Sequence, residues 1–273
     1  MSFLQNINYR LTGKEDSPKI VFLHGLMGFL NNWGRITKDL NSKYHCLVFD
    51  QRGHGKSFKP DSGYQPENYA SDLLQILDEL GWEKIILVGH SMGGRNALCF
   101  ANRHPERIEK LVIVDISPES HKAVGRYFQT MLDAIPTPFR SLENAKSFFQ
   151  QDFSQLIKIN EDLKMLVPFL MANLEIKPEG VVDWKFSKKA ILESAQFAPT
   201  EGIWSWFSQL TMPCLFVRGA KSKDLSQDIF KKVIESNKNI IGVEVSDAGH
   251  WVHSEQPELF LNELKNFIGY NTY

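Results

Sequence analysis

Gly89-His90-Ser91-Met92-Gly93-Gly94 follows the apolar run Ile85-Ile86-Leu87-Val88 and opens onto Asn96-Ala97-Leu98-Cys99-Phe100-Ala101. A short continuous apolar run predicts a strand buried on both faces, and the segment after the turn reads as a helix. Between them, residues 89–93 spell G-x-S-x-G. A strand, a sharp turn and a helix are the context in which that pattern forms a nucleophile elbow. So tight a turn strains the backbone of Ser91, and glycines at 89 and 93 let strand and helix approach each other. The hydroxyl is then held clear of the sheet, with the Met92 N–H aimed at whatever Ser91 attacks. A plain Gly-rich loop is the alternative for the motif alone; the strand before it and the helix after it favour the elbow.

Working outward, residues 19–23 are a second apolar run, followed by His24-Gly25 and the loop Leu26-Met27-Gly28-Phe29. His-Gly at the end of a central strand is where an acyl-transfer enzyme built this way holds its second oxyanion donor, here the Leu26 N–H beside that of Met92. Such donors act on charge that develops on the carbonyl oxygen only in the transition state, and one is typically worth ~10²–10³ in rate. Residues 3–11 alternate well enough for an edge strand, and residues 44–49 form another buried one. The loop Asp50-Gln51-Arg52-Gly53-His54-Gly55-Lys56-Ser57 offers Asp50 and His54 as catalytic candidates. A charged, Gly-punctuated loop whose Asp and Arg tie down the strand end is the better account. Residues 68–80 carry apolar side chains at helical spacing, and Gly81 stops that helix.

A chain of 273 residues buries a substantial core without staples and suits one α/β domain with an insertion. Its formal net charge of −1 gives no electrostatic case for a nucleic acid partner. Residues 1–10 mix Gln, Asn and Arg with apolar side chains, unlike a signal or transit peptide. No run of 18 apolar residues is present to span a membrane. Cys46, Cys99 and Cys214 each lie in an apolar pattern, which suits buried thiols in a reducing compartment. A cytoplasmic location is the expectation, and the oligomeric state is left open.

His24-Gly25, Asp50-x-Arg52-Gly53-His54-Gly55-x-Ser57, the elbow at Ser91 and Ala248-Gly249-His250-Trp251 together resemble the α/β-hydrolase superfamily in order and spacing. The resemblance implies a mostly parallel eight-stranded sheet with helices on both faces and an inserted, mainly helical cap after strand six. The alternation of strand and helix patterns agrees with it. Strand six would be Leu111-Val112-Ile113-Val114, leading into Asp115-Ile116-Ser117-Pro118. Residues 1–118 and 208–273 would form the core, and residues 119–207, where strand signals fade, the cap. There Ser141 can cap a helix, a second helix is predicted over residues 162–174, and Val182, Trp184 and Phe186 alternate as one short strand. Most cap aromatics and methionines would be cap core, with a minority lining an apolar cleft facing the elbow.

Most members of the superfamily place their acid as Gly-x-x-Asp after the next core strand, here Cys214-Leu215-Phe216-Val217. This chain reads Gly219-Ala220-Lys221-Ser222, so Ser222 stands in the acid's position. That departure, with Asp-Ile-Ser-Pro after strand six, resembles the subgroup of YbfF-type bacterial esterases and abhydrolase-domain-containing protein eleven. By that resemblance Asp115 is the triad acid and Ser222 an accessory group near the histidine. Asp224 is the alternative acid; its competing role is a solvated helix N-cap before Leu225. Of the eight histidines, only His250 stands in the loop after the last strand. His90 is expected to pack or hydrogen-bond beside the nucleophile, and His253 to lie at the surface or behind the site.

The chemistry expected is that of a serine hydrolase of small-molecule carboxylic esters or acyl thioesters. Ser91 attacks, His250 acts as base and then acid, and Asp115 orients the imidazolium. This chemistry needs no metal and no organic cofactor. A carbon–carbon bond hydrolase or a perhydrolase uses the same triad. The alternative from another class is a hydrolase fold kept as a catalytically weak ligand-binding protein.

Overall fold

The runs of Val, Ile, Leu and Phe form the middle of one large sheet. The computed structural model describes residues 2–119, 123–156, 163–197, 199 and 201–270. In chain order come β1 (Tyr9–Thr12), β2 (Lys19–Leu23), α1 (Gly34–Leu40), β3 (His45–Phe49), α2 (Pro66–Leu80), β4 (Ile85–His90), α3 (Met92–Arg103) and β5 (Ile108–Val114). A mainly helical stretch follows: α4 (Ala123–Ala134), α5 (Leu142–Gln151), α6 (Phe153–Leu156), α7 (Leu163–Ala172), β6 (Leu174–Ile176), β7 (Val182–Trp184), α8 (Lys188–Ala195) and α9 (Trp204–Ser208). The sheet then resumes with β8 (Cys214–Gly219), α10 (Gln227–Ser236), β9 (Ile240–Val245), α11 (Val252–Glu255) and α12 (Pro257–Ile268).

Strand order is β1-β3-β2-β4-β5-β8-β9, and every pairing is parallel except β1 with β3. Parallel strands covered on both faces need apolar side chains in both directions, with period two. Val21, Leu87, Leu111 and Phe216 therefore pack on one face with Leu73 of α2 and Phe100 of α3. Ile20, Ile86, Val112 and Val217 pack on the other with Ile36 of α1 and Phe260 of α12. Met131, Phe149, Phe153, Leu170 and Trp184 build a further core within the helical stretch between β5 and β8.

Strands that run the same way end at the same edge, so the loops there gather residues distant in sequence. Ser91 follows β4, Asp115 follows β5, residues 220–224 follow β8, and His250 lies beyond β9. These four strands are consecutive neighbours in the sheet.

Several expectations are corrected. The sheet has seven strands among the described residues, one fewer than the resemblance implies, and residues 108–114 form the fifth strand of the chain. Residues 3–11 are not one edge strand: Phe3–Asn6 is a turn of 3-10 helix, and only Tyr9–Thr12 pairs with β3. The Glu79 carboxylate on α2 accepts the Ser2 hydroxyl and the Phe3 and Leu4 N–H groups, drawing that backbone onto the helix. The helix expected over residues 162–174 ends at Ala172, and Leu174, its expected last residue, opens β6 and pairs with β7; Asp162, at the start of that expected helix, lies outside the described residues. Pro178-Glu179-Gly180 makes the turn, with Gly180 at φ 87° and the Lys177 N–H on the Val181 carbonyl at 2.8 Å. The Ser141 cap does form, accepting the Asn144 N–H at 3.1 Å. No described helix is long and apolar enough to cross a membrane.

Candidate active site

At the end of β4 the chain reverses through Ser91, at φ 54° and ψ −121°. Its N–H donates to the Val114 carbonyl and its own carbonyl accepts the Arg95 N–H, each at 3.0 Å, so the strained residue is held from both sides. Two missing side chains make room for the turn. A Cβ on Gly89 would lie 2.3 Å from the Gly93 oxygen, and one on Gly93 would lie 2.4 Å from the Leu23 oxygen. That close approach sets the end of β2 beside the start of α3, and Leu26 and Met92 line the same cavity as Ser91. The Met92 N–H opens α3 and has no acceptor within the helix. Among the described residues, the Leu26 N–H also donates to nothing.

Two histidines pin the loop that carries Leu26. His24 Nδ1–H donates to the Gly25 carbonyl at 2.8 Å while Nε2 accepts the Gln51 N–H at 3.0 Å. His54 Nδ1–H donates to the Arg52 carbonyl at 3.0 Å while Nε2 accepts the Met27 N–H at 3.2 Å. Only neutral imidazoles can donate and accept in this way. Asp50 accepts the Leu30 and Lys56 N–H groups at 2.7 and 2.9 Å, and Arg52 pairs with Asp72. Asp50 and His54 thus tie loops together, and neither lines the cavity.

Burial holds these imidazoles neutral, pushing the pKa of His24 down to about 4 and that of His54 to about 3. Burial, with the neighbouring His250 charge, does the same to His253, down to about 3, and drives His90 well below its ordinary value. In the unfolded chain all four protonate near pH 6.5. Their contribution to stability is therefore complete above pH 6.5 and is lost progressively as pH falls toward 4 and 3. Denaturant melts at pH 7, 6 and 5 should show falling stability, with these histidines taking up about four protons on unfolding near pH 5. Equal stability at pH 7 and pH 5 would contradict this account.

The remaining residues meet at the edge of the sheet. His250 Nε2 lies 3.0 Å from Ser91 Oγ, and His250 Nδ1 lies 2.8 Å from Asp115 Oδ2. Asp115 is fully buried at the end of β5, at φ 51°, with its N–H on the Val217 carbonyl at 2.8 Å. Its Oδ1 accepts the Gly219 N–H at 3.0 Å, and its Oδ2 also accepts the Ser222 hydroxyl at 2.6 Å. Bonds of this kind fix the orientation of the carboxylate. His90 Nε2–H donates to the His250 carbonyl at 2.8 Å, as expected of a group beside the nucleophile. His253 is not at the surface: it is buried behind the site, stacked on Trp33 at 4.1 Å between ring centroids.

Ser222, expected near the histidine, shares with His250 Nδ1 the Asp115 Oδ2, donating to it at 2.6 Å, and its Oγ accepts the Asp224 and Leu225 N–H groups at 3.2 and 3.3 Å. Asp224 is not a helix cap. Ser226 caps α10, accepting the Ile229 N–H at 3.3 Å, because the helix starts at Gln227. Asp224 instead brings Oδ2 to 3.3 Å from His250 Nδ1 while its side chain stays 63% exposed. Asp115, Asp224 and His250 are the one grouping of metal-ligating side chains found among the described residues, with ligand atoms within 4.8 Å of one another. The imidazole nitrogens of that group are already engaged by Ser91 and Asp115.

Ser91 and His250 open into a cavity of about 770 Å³, whose apolar walls include Phe128, Met131, Met165, Phe169, Phe197 and Trp251. The same cavity is lined by Arg95, which the sequence pattern did not single out. Its one signal in the sequence is a long cation placed four residues after Ser91.

The sequence model of the alpha/beta hydrolase fold matches residues 18–257, from the start of β2 to the start of α12. The chain belongs to the alpha/beta hydrolase fold family. It is 31% identical to the sn-1-specific diacylglycerol lipase ABHD11 of Danio rerio, over 96% of this chain and 82% of that protein. It is 26% identical to Esterase YbfF of Escherichia coli (strain K12), over 93% of this chain and 94% of that one. The two come from the subgroup to which Ser222 and the Asp-Ile-Ser-Pro stretch pointed. Among solved structures, a marine microorganism esterase superposes with a TM-score of 0.81 at 27% identity, covering 96% of this chain and 99% of that chain.

Proposed function

We propose that this α/β hydrolase is a serine hydrolase of carboxylic esters or acyl thioesters. In this reading Ser91 is the nucleophile, His250 the base and then the acid, Asp115 the triad acid, and the Leu26 and Met92 N–H groups the oxyanion hole. Residues 119–207 form the cap, and residues 1–118 with 208–273 the catalytic core. The observation that carries the proposal is the continuous line from Ser91 Oγ to His250 Nε2 at 3.0 Å and from His250 Nδ1 to Asp115 Oδ2 at 2.8 Å. The relatives named as an esterase and a diacylglycerol lipase support the same choice of ester chemistry. Three free, buried cysteines suit a reducing, cytoplasmic setting.

With Nδ1–H committed to Asp115, His250 Nε2 carries a lone pair and takes the Ser91 proton as Oγ bonds to the acyl carbon. Negative charge forms on the carbonyl oxygen, facing two N–H groups that have no other acceptor. Collapse of this intermediate breaks the bond to the alcohol or thiol, which leaves with the proton from Nε2. Water then attacks acyl-Ser91 by the same route, releasing the acid and restoring the serine. A fluorophosphonate should label the wild-type protein covalently and leave Ser91→Ala unlabelled. A wild-type protein that resists labelling would overturn the assignment.

The apolar side chains around the cavity make the acyl end of the substrate the part buried against them. Each buried methylene is worth ~0.8 kcal/mol, about fourfold in a rate ratio. Across neutral 4-nitrophenyl esters, kcat/KM should therefore rise from acetyl to medium-chain acyl groups. A steady fall beyond acetyl would mean that these side chains serve only as core and that the pocket is shallow.

A further inference from the structure

Arg95 lies one helical turn beyond Ser91, ~5.4 Å along α3, and its N–H bonds the Ser91 carbonyl at 3.0 Å. Its side chain lines the cavity into which Ser91 and His250 open. The guanidinium there has few partners. Nη2 donates to the Ser194 carbonyl at 2.8 Å, the Phe197 ring centroid stands 4.9 Å from Cζ, and Nε is buried with no hydrogen-bond partner. Among the described residues, no carboxylate comes within ion-pair distance of it. Burial lowers its pKa to about 10, against smaller raising pulls from Tyr69 and Glu67, which leaves it charged at neutral pH.

The other cations around the cavity are placed differently. Lys221 is exposed and paired with Asp247 at 2.6 Å, and Lys223 is exposed on the loop after β8. A cation partly withdrawn from water, with its Nε buried and only a carbonyl and a ring beside it, is costly unless an anion completes its surroundings. No step of the triad chemistry uses this charge, and its flat fork of donors matches a carboxylate or a phosphate.

We propose that Arg95 binds an anionic group of the substrate, either a carboxylate carried a few bonds from the scissile carbonyl on the acyl side or a phosphate carried by the leaving group. The proposal rests on the serine-hydrolase reading of the same cavity and narrows its substrates to acyl compounds that bear a negative charge. Ser194 and Phe197 hold the guanidinium in place, so the anion meets a donor set that is already oriented.

Two matched pairs of substrates separate the sources of charge. Mono-4-nitrophenyl glutarate against 4-nitrophenyl pentanoate tests a carboxylate on the acyl side. Butyryl-coenzyme A against butyryl-pantetheine tests phosphate on the leaving side. In at least one pair the wild-type protein should prefer the anionic member. Arg95→Gln should then lower kcat/KM for that member on the order of 10- to 100-fold more than for its neutral partner, mainly through KM. Arg95→Lys should restore part of the difference. Without turnover, glutarate or inorganic phosphate should raise the Tm of the wild-type protein and not that of Arg95→Gln.

Equal treatment of both members of both pairs by the wild type would overturn the anion site while leaving the Ser91 chemistry intact. Equal losses for charged and neutral substrates in Arg95→Gln would overturn it as well, and would mark Arg95 as a packing residue. Failure of the hydrolase reading looks different: no fluorophosphonate label and no turnover of any ester. In that case the Tm comparison alone decides the anion site, and the absence of a shift overturns it.

Discussion

Ser91→Ala should lose about a millionfold in kcat for ester hydrolysis while keeping its fold. The size of the loss follows from what remains. Without Oγ no acyl-enzyme can form, and His250 faces a methyl group in place of a hydroxyl it could deprotonate. What survives is the binding cavity and the oxyanion donors, worth a residual ~10³–10⁴ over water in enzymes of this kind. The fold survives because the elbow is held by backbone groups: the Ser91 N–H on Val114, the Arg95 N–H on Ser91, and the close passage of Gly93 along Leu23 and His24. None of these involves the hydroxyl. Thermal melts of the two proteins should nearly coincide, and His250 should keep its bond to Asp115. A well-folded Ser91→Ala protein with near-wild-type activity would remove the whole mechanism.

The elbow was legible because it is local. Strand, turn and helix occupy consecutive residues, and the two glycines are required by contacts within a few positions of each other or with the neighbouring β2. His250 was legible by position, as the histidine after the last strand. What the sequence could not give were relations between loops. Ser222 sits on Asp115 because β5 and β8 pair with Val114 opposite Val217, and no pattern in either strand states that register. Of the two roles open to Asp224, the cap fails because Asp and Ser are both good caps and α10 begins only at Gln227, which gives the cap to Ser226. Leu174 reads as a helix end because the three-residue strand it opens carries too little periodicity to separate the two. Arg95 shows the limit most clearly. A cation on a helix is ordinarily solvated, and this one is partly buried, its Nε fully so, beside Ser194 and Phe197, about a hundred residues later.

Asp115→Asn should lower kcat by ~10⁴, whereas Asp224→Asn should change it little. Both carboxylates stand near His250 Nδ1, at 2.8 Å for Asp115 and 3.3 Å for Asp224, so distance alone separates them weakly. Surroundings separate them strongly. Asp115 is fully buried, where charge is poorly screened, while the Asp224 side chain is 63% exposed and its attraction is weakened by water and salt. Asp115 is also already oriented, since the Gly219 N–H and the Ser222 hydroxyl fix both of its oxygens. All three of its partners, with His250 Nδ1–H, are donors. An asparagine cannot accept from all three: its amide nitrogen faces either Gly219 alone, in place of Oδ1, or both Ser222 and His250, in place of Oδ2. If it faces Nδ1, the imidazole proton moves to Nε2 and the base that should deprotonate Ser91 is lost. If it faces Gly219, a buried N–H is left opposing another donor, at a cost in stability. Ser222→Ala removes one hydrogen bond to the carboxylate and should fall between the other two, at about tenfold. Measuring kcat for the three variants on one ester decides the assignment. A collapse in Asp224→Asn with Asp115→Asn spared would move the triad acid to the loop after β8.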